Sequence, residues 1–194
     1  MLIAAGLGRV DLTPPLGTPL GGYFNLRLAS EVHDPLWCKS LYLAADGGRL
    51  HLASCDLLGL ETEAVRQAEE AAHVALGPEA QSLLFCTHTH LGPQTLAVLE
   101  DAQDVAYLNR LPTLAAQTVR TAAEAPFPAQ IALAVGEVQG LSFNRRYRMR
   151  DGSVKMNPGR GNPDIVEPAG PTDPQLLALL VREASGKPRA VFVN

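Results

Sequence analysis

A short apolar run followed by a histidine-rich turn constrains the fold of this chain more than any other feature. The run at residues 83–86 is typical of a buried strand, and Gly92-Pro93 forces the chain to turn soon after it. Between them lies Thr87-His88-Thr89-His90. The sequence therefore predicts two imidazoles at the C-terminal end of a sheet strand, which is where open α/β sheets bind their ligands.

The spacing of the two histidines indicates what they can do together. In an extended segment His88 and His90 point to the same side, about 7 Å apart along the strand. Two such imidazoles can share a metal ion, or one can bind the metal while the other carries a proton. They can also be two polar residues that end a strand. The position at a strand end favours metal binding or catalysis.

Composition and charge exclude several classes of protein. The chain has 194 residues, of which 46% are hydrophobic and 19% charged, so it is long enough and apolar enough for one globular domain with a sizeable core. Its net charge is −4, and its dense basic cluster is confined to Arg145, Arg146, Arg148 and Arg150. This balance argues against broad nucleic-acid binding. No run of about 18 apolar residues occurs, so no transmembrane segment is predicted.

The cysteines and the two termini bear on the cellular setting. Cys38, Cys55 and Cys86 lie on strand-like segments and outside any Cys-x-x-Cys pair. They are expected to be buried free thiols in a reducing compartment rather than ligands of a structural zinc. The N-terminus lacks the basic region of a signal peptide, so a cytoplasmic location is expected. Residues 188–194 form a predicted strand that stops without a cap, and we expect the C-terminal part of the natural protein to be absent.

The order of the predicted elements indicates the fold class. Hydrophobic periodicity predicts strands at 2–12, 36–45, 49–57, 82–87, 129–139, 175–183 and 189–194, and helices at 61–76 and about 101–124. Pro112 is expected to kink or restart the second helix. Residues 13–26 and 157–174 are predicted loops, the second of them a pocket rim. This order predicts an α/β fold with a mixed β-sheet and packed helices, in two or three layers.

Several residues near the predicted turns and strands have two possible roles. Tyr23 and Phe24 either pack a loop down, which is the more usual role, or line a pocket. Asp56 either orients a metal-bound imidazole or serves as a turn or helix-start carboxylate. His33 is expected to be a loop residue and His51 a strand-face residue.

The basic segment at 145–150 also has two interpretations. Four arginines in six residues near a strand end can bind an oxyanion or a phosphate. Most of them are expected to lie in a solvated basic loop, with one arginine left for function.

Six short motifs, taken in order, resemble the N-terminal region of the neutral/alkaline non-lysosomal ceramidase family. The His-Thr-His-x-Gly-Pro motif is the most specific of them. The motifs are Arg9-Val10-Asp11-Leu12-Thr13-Pro14-Pro15-Leu16-Gly17, His33-Asp34-Pro35, Asp56-Leu57-Leu58-Gly59, Thr87-His88-Thr89-His90-Leu91-Gly92-Pro93, Ser142-Phe143-Asn144-Arg145-Arg146 and Gly161-Asn162-Pro163-Asp164.

The resemblance implies a zinc-dependent amidase that cleaves the amide of an N-acyl sphingosine, a lipid-like substrate. His88 matches the family's first zinc-binding histidine. His90 matches a histidine beside the substrate, and Arg145 matches an arginine near the scissile group. These roles are chemically consistent, because zinc lowers the pKa of bound water to about 7, an arginine can stabilise an oxyanion, and a histidine can protonate a leaving amine.

The resemblance also implies that the site is incomplete. In the family the remaining zinc ligands follow a strand that ends in Val-Asn, and this chain stops at Val193-Asn194. We therefore expect residues 1–194 to be the N-terminal part of a larger catalytic domain. By itself such a chain would bind zinc weakly and hydrolyse nothing, because a catalytic zinc needs about three protein ligands.

Two other functions remain possible on the sequence alone. One is a related metal-dependent amidase or esterase with a different substrate. The other is a non-catalytic module that uses the Arg145–Arg150 segment to bind an anionic partner. A metallo-β-lactamase-type site is disfavoured, since Gly92-Pro93 stands where that site has an aspartate, and no third histidine follows.

Overall fold

The computed structural model describes residues 3–97 and 103–194 and has the mixed α/β fold that the sequence predicts. Its elements, in chain order, are β1 (Ile3–Asp11), β2 (Trp37–Ala45), β3 (Gly48–Cys55), α1 (Thr62–Leu76), β4 (Gln81–Cys86), α2 (Val105–Leu108), α3 (Leu111–Glu124), β5 (Phe127–Glu137), β6 (Arg146–Met149), β7 (Val154–Met156), β8 (Ile165–Pro168), β9 (Gln175–Glu183) and β10 (Pro188–Val193). The chain divides into two compact units, 1–130 with 183–185 and 131–182 with 186–194.

The first unit contains a mixed sheet with the strand order β5-β1-β2-β3-β4, in which residues 127–129 of β5 pair with β1. The strands β2 and β3 form the predicted antiparallel hairpin, whose turn uses left-handed φ angles of 48° at Asp46 and 82° at Gly47. The strands β3 and β4 are parallel, and α1 connects them. Because parallel neighbours end at the same edge of a sheet, the segments after Cys55 and Cys86 leave the sheet side by side.

The helices of the first unit bury their apolar faces against the sheet. In α1 the buried residues are Ala68, Ala72 and Leu76, as the periodicity predicts. The second predicted helix consists of α2 and α3, and Pro112 lies in the first turn of α3, so the expected restart is confirmed. The predicted start near Asp101 lies outside the described residues.

The main core of the first unit lies between the helices and the strands β2, β3 and β4. Full burial of each of its large side chains stabilises the fold by about 1.5–3 kcal/mol. Its buried members are Leu12, Cys38, Ala53, Cys55, Leu57, Tyr107 and Leu111.

Three cysteines lie side by side across β2, β3 and β4. Cys38 is opposite Cys55, and Cys55 is opposite Cys86. All three are free thiols; Cys38 and Cys55 are buried and Cys86 is half-buried. The thiol of Cys55 donates a hydrogen bond to Cys38 (Sγ to Sγ, 3.4 Å), which raises its own pKa, and burial raises the pKa of Cys86 to about 11. Cys55 and Cys86 therefore stay protonated at neutral pH and act as small apolar residues.

The second unit corrects two loop predictions. The basic segment that begins at Arg145 contains the strand β6, and the long loop predicted at 157–174 contains the strand β8. These strands join β7 in a small sheet with the order β7-β6-β8. Charged side chains alternate in β6 with Tyr147 and the buried Met149, so its period of two is masked by its basic composition.

The remaining predicted strands of the second unit form a hairpin. The strands β9 and β10 pair antiparallel, as the two apolar runs near the end of the chain predict. No helix formed by the described residues is long and apolar enough to cross a membrane.

Candidate active site

The position of the His-Thr-His segment is set by the backbone at the ends of β3 and β4. Beyond the last strand residues, the N–H of Thr87 donates to the carbonyl of Cys55 (2.9 Å). The N–H of His88 donates to the carbonyl of Leu57 (3.0 Å). The segment after β4 is therefore hydrogen-bonded to the segment after β3, which places His88 at the edge where the sequence predicts a ligand site.

The backbone of His88 is not extended, which corrects the predicted geometry. Its φ is 59°, in the left-handed region, and β4 ends two residues earlier at Cys86. Left-handed non-glycine residues are uncommon, although histidine is among the types enriched there. The alternation argument for His88 and His90 thus does not hold, because neither residue belongs to the strand.

One nitrogen of the His88 ring is held by the protein. Its Nδ1 lies 2.8 Å from the carbonyl oxygen of Leu58. A carbonyl can only accept, so this hydrogen bond assigns the proton of the neutral ring to Nδ1 and leaves a lone pair on Nε2. Histidines that bind metals are held in this way, with one nitrogen on a carbonyl or carboxylate and the other on the metal.

The His90 ring lies against that of His88 even though the segment is not extended. The two ring centroids are 5.0 Å apart and the rings are inclined by 70°. Both residues are exposed. The structure thus brings together the two histidines that the sequence paired, through a turn rather than through strand alternation.

A loop between residues 19 and 28 packs against His90. The ring of Tyr23 is nearly perpendicular to that of His90 (89°), with 5.7 Å between centroids, and the guanidinium of Arg27 lies 4.2 Å from the centre of the Tyr23 ring. Gly22 touches the imidazole directly, because a Cβ built on it would lie 2.5 Å from Nδ1 of His90. A larger residue at position 22 would displace the ring.

Backbone hydrogen bonds fasten this loop to the turn that follows His90. The N–H of Gly21 donates to the carbonyl of Gly92 (3.0 Å), and the N–H of Gln94 donates to that of Pro19 (2.8 Å). The N–H of Leu20 donates to the carbonyl of Arg27 (2.8 Å), which closes the loop on itself. The contact with His90 is therefore part of an organised junction between two segments distant in sequence.

Tyr23 and Phe24 have different surroundings. Tyr23 is half-buried and packs against the His90 ring, so the packing role expected for it is observed. Phe24 is 95% exposed, and the prediction that it packs the loop down is wrong.

A cleft of about 440 Å³ opens beside Thr89 and Leu91. Its other walls come from residues 13–36, with apolar side chains such as Leu20 and Leu28 next to the charged Arg27. This volume is in the range of small-molecule sites.

Asp56 lies in the bend that follows β3, which agrees with the turn carboxylate among the roles weighed for it. Its carboxylate accepts hydrogen bonds from the N–H of Trp37 (3.0 Å) and from the hydroxyl of Thr87 (3.3 Å). The group that orients the His88 imidazole is instead the carbonyl of Leu58, and α1 begins after Glu61. Asp56 fastens the end of β3 to its two neighbouring segments.

The other histidines singled out by the sequence take no part in this arrangement. His33 is an exposed loop residue whose Nδ1 lies 2.7 Å from Asp34, as expected for a loop position. His51 lies on β3 and is 1% exposed, with Nδ1 3.0 Å from the hydroxyl of Ser82. Burial lowers the pKa of His51 to about 4, so its ring is neutral at pH 7.

Arg145 belongs to the second unit, where it directly precedes β6. Its carbonyl accepts from the N–H of Asn157 (2.9 Å), and its side chain is exposed. Further along the basic segment, Arg148 pairs with Glu167 (3.5 Å), and Arg150 donates to the carbonyl of Pro163 (3.3 Å). Two of the four arginines are thus used within the second unit, which weakens the case for a continuous anion-binding loop.

His88 is the described residue whose surroundings suit a metal ligand. The held Nδ1 and the free lone pair of His88 suit one zinc ligand. Within 3–97 and 103–194, however, no group of three or more His, Cys, Asp or Glu side chains is placed to hold a metal ion. A catalytic zinc has about three protein ligands, so the residues described here fit such an ion only in part.

Two features of the site escaped sequence analysis. The role of the Leu58 carbonyl cannot be recognised in the sequence, because every residue has a backbone carbonyl. The contact of Gly22 and Tyr23 with His90 had a weak signal in Gly21-Gly22, since paired glycines in a loop often mark a close backbone approach.

Comparison with solved structures shows which fold the chain shares. Its structure is similar to the crystal structure of neutral ceramidase from Pseudomonas aeruginosa, with a TM-score of 0.73 and 20% sequence identity. It is similar also to a ceramidase complexed with C2, with a TM-score of 0.70 and 20% identity. Each comparison covers 100% of this chain and 31% of the ceramidase chain. No family model and no curated protein sequence matches the chain. The ceramidase resemblance of the motifs is thereby confirmed at the level of the fold.

Proposed function

We propose that the whole protein is a zinc-dependent hydrolase of an N-acyl amide, with N-acyl sphingosine or a related lipid amide as substrate. The observation that carries the proposal is the His88 ring, which is held at Nδ1 by the Leu58 carbonyl at a strand end of a ceramidase-like fold. The proposal concerns the whole protein because the chain spans 31% of each ceramidase chain that it matches.

In this proposal His88 is a zinc ligand through Nε2. Bound zinc would supply a water of lowered pKa and would polarise the amide carbonyl. The Leu58 carbonyl then keeps the His88 ring in one tautomer and one orientation.

His90 and Arg145 are the proposed catalytic residues. His90 stands beside His88, is exposed, and contacts the ring of Tyr23. These features suit a group that delivers a proton to the leaving amine. Arg145 is included because the motif resemblance matches it to an arginine near the scissile group, where a guanidinium would donate to the oxyanion that develops on the amide oxygen.

Apolar side chains around the His pair support a lipid-like substrate. Leu91 is 66% exposed next to His90, and Phe24 is 95% exposed on the neighbouring loop. The cleft beside Leu91 adds further apolar wall. Such exposed groups favour a substrate with hydrocarbon chains over a small polar amide.

The proposal is tested by metal content and amide hydrolysis of the whole protein as its gene encodes it. We expect about one zinc per chain and zinc-dependent release of fatty acid from N-acyl sphingosine. His88→Ala should lower both, whereas His73→Ala, at an exposed position of α1, should change neither. Zinc content and hydrolysis that survive His88→Ala would overturn the proposal.

A panel of other N-acyl amines and esters separates the proposed substrate from a related one. Hydrolysis of short N-acyl amines in preference to N-acyl sphingosine would assign the protein to the wider class of metal-dependent amidases. Salt-sensitive binding of a polyanion that persists without metal and after His88→Ala would instead support a binding module that uses Arg145 and Arg146.

A further inference from the structure

We infer that Tyr23, backed by Arg27, is a positioning residue that holds the His90 imidazole in one orientation. The inference rests on the proposed function, in which His90 handles the proton of the leaving amine. It adds Tyr23 and Arg27, from a loop distant in sequence, to the residues that surround His88 and His90.

An exposed histidine on a turn needs support to keep one orientation. Exposed side chains change rotamer within picoseconds to nanoseconds. The His90 ring contacts the ring of His88, with 5.0 Å between centroids, and the ring of Tyr23, with 5.7 Å between centroids. The backbone at Gly22 leaves no space for a Cβ beside the ring. These three contacts together restrict the ring.

The ring geometry identifies Tyr23 as the directional contact. Its plane is inclined by 89° to that of His90, which is the edge-to-face arrangement that aromatic quadrupoles prefer. An interaction of this kind favours one rotamer over another by about 2- to 12-fold. Packing of the same area by an aliphatic side chain would lack this preference for a ring angle.

Arg27 fixes the orientation of Tyr23 in turn. Its guanidinium carbon lies 4.2 Å from the centre of the Tyr23 ring, which is well inside the range of a cation–π contact. The hydrogen bond from Leu20 to the Arg27 carbonyl closes the loop, and that from Gly21 to Gly92 joins it to the turn after His90. Arg27 therefore contacts Tyr23, and Tyr23 contacts His90, on a loop that backbone hydrogen bonds hold in place.

A simpler role for Tyr23 is to anchor the loop without affecting His90. The two roles differ in what each variant should change. Tyr23→Phe keeps the aromatic face, and Tyr23→Leu keeps apolar bulk but removes the face. A loop anchor would tolerate both or would release the whole loop, whereas a positioning residue needs the aromatic face itself.

The test is NMR of the 194-residue chain, observing the ring protons of His90. In the original protein and in Tyr23→Phe these protons should show a ring-current shift and one set of restrained ring angles. In Tyr23→Leu the shift should be lost, while the backbone amide signals of Gly21 and Gly92 stay in place. Phe24→Leu, at the adjacent exposed aromatic, is the matched control and should leave His90 unchanged.

Two results would overturn the inference. The first is an unchanged His90 spectrum in Tyr23→Leu. The second is a change in His90 that occurs only together with displaced Gly21 and Gly92 amides, which would make Tyr23 a loop anchor. Arg27→Met should shift the His90 ring signals less than Tyr23→Leu does, and Arg27→Lys, which keeps the positive charge, should leave them near their original positions.

Activity of the whole protein is a separate measurement. There Tyr23→Leu should lower kcat about 10-fold with little change in KM, because a displaced proton donor impairs the chemical step more than binding. The NMR signature requires no turnover. Absence of hydrolysis in every form would therefore overturn the proposed function alone, and an unaltered His90 spectrum would overturn the positioning role alone.

Discussion

A histidine in the middle of β3 and another just after β4 are each hydrogen-bonded through Nδ1, but they differ in exposure. His51, in the middle of β3, has Nδ1 on the Ser82 hydroxyl, and its buried Nε2 has no hydrogen-bond partner among the described residues. His88, just after β4, has Nδ1 on the Leu58 carbonyl and lies in an exposed position. Each ring is held through one nitrogen.

In these two residues exposure, and not the hydrogen bond at Nδ1, decides whether the second ring nitrogen is accessible. Burial lowers the pKa of His51 to about 4 and keeps its ring neutral, where no substrate reaches it. His88 has its second nitrogen available at the edge of the sheet, beside His90. The pairing of β3 with β4 therefore places His51 inside the sheet, where it is buried, and His88 just beyond the end of β4, where it is exposed.

The largest expected effect concerns the buried member of this comparison. As the pH falls below about 6.5 the unfolded chain takes up a proton at His51, whereas the folded chain does so only near pH 4. Stability contributed by neutral His51 is therefore complete above about pH 6.5 and is lost toward pH 4. The loss amounts to about 3 kcal/mol of the free energy of unfolding.

Urea unfolding between pH 7.5 and pH 4 measures this effect. His51→Gln removes the titrating group and should flatten the pH dependence, whereas His73→Gln on the exposed face of α1 should keep it. If the His51→Gln protein loses as much stability over this pH range as the original does, burial of His51 is not the cause.

The second effect concerns the hydrogen bonds that hold the strand end. Asp56→Ala removes the acceptor of the Trp37 N–H and of the Thr87 hydroxyl, and should cost about 2 kcal/mol. Asp56→Asn, which keeps one acceptor oxygen, should cost less. Urea unfolding at pH 7 gives both values. A loss in Asp56→Ala no greater than that in Asp56→Asn would mean that the strand end is held by packing instead.

A third effect isolates the contact between Gly22 and His90. Gly22 and Gly17 both have left-handed φ angles, 89° and 87°, but only the Cβ of an alanine at position 22 would meet another group, the His90 ring. Gly17→Ala should cost about 1 kcal/mol of strain. Gly22→Ala should cost about 1 kcal/mol more, because overpacking adds to the strain.

A double-mutant cycle checks the source of that excess. When His90→Ala removes the ring, Gly22→Ala and Gly17→Ala should become equally costly in thermal unfolding. An excess cost that remains without the ring would show that Gly22 is required for the loop backbone alone.

The smallest effect is expected at His33, which is exposed and lies in a loop away from β3 and β4. Its contact with Asp34 joins side chains that are 93% and 85% exposed. His33→Asn should change the free energy of unfolding by less than about 0.5 kcal/mol and should leave zinc content unchanged. A larger loss in thermal unfolding would show that the exposed contact between His33 and Asp34 stabilises the fold.

Much of the first unit was predictable from local patterns. The Asp46-Gly47 turn, the apolar face of α1 and the restart at Pro112 each follow from the preferences of a few adjacent residues. The strands β6 and β8 were not predicted, since they are short and rich in charge or proline, so their period of two is obscured. Their pairing with each other stabilises conformations that their local preferences do not demand.

The candidate site was predictable in its residues but not in its geometry. The apolar run before Thr87 and the Gly92-Pro93 turn after it place His88 and His90 at a strand end. The left-handed backbone of His88 and its bond to Leu58 depend on hydrogen bonds between two separate strand ends. No pattern within one segment can indicate such bonds, because the partner lies far away along the chain.

Amino-acid order alone predicted the mixed α/β fold, the place of His88 and His90 after a strand and the free thiols, because periodicity, turn residues and residue chemistry are local properties. Folding decided which ring nitrogen of His88 is held, that His51 is buried, and that Tyr23 stands against His90. Those outcomes arise from contacts between segments that only the pairing of strands and the docking of a loop bring together. Burial and orientation depend on these neighbours, and neighbours are a property of the fold.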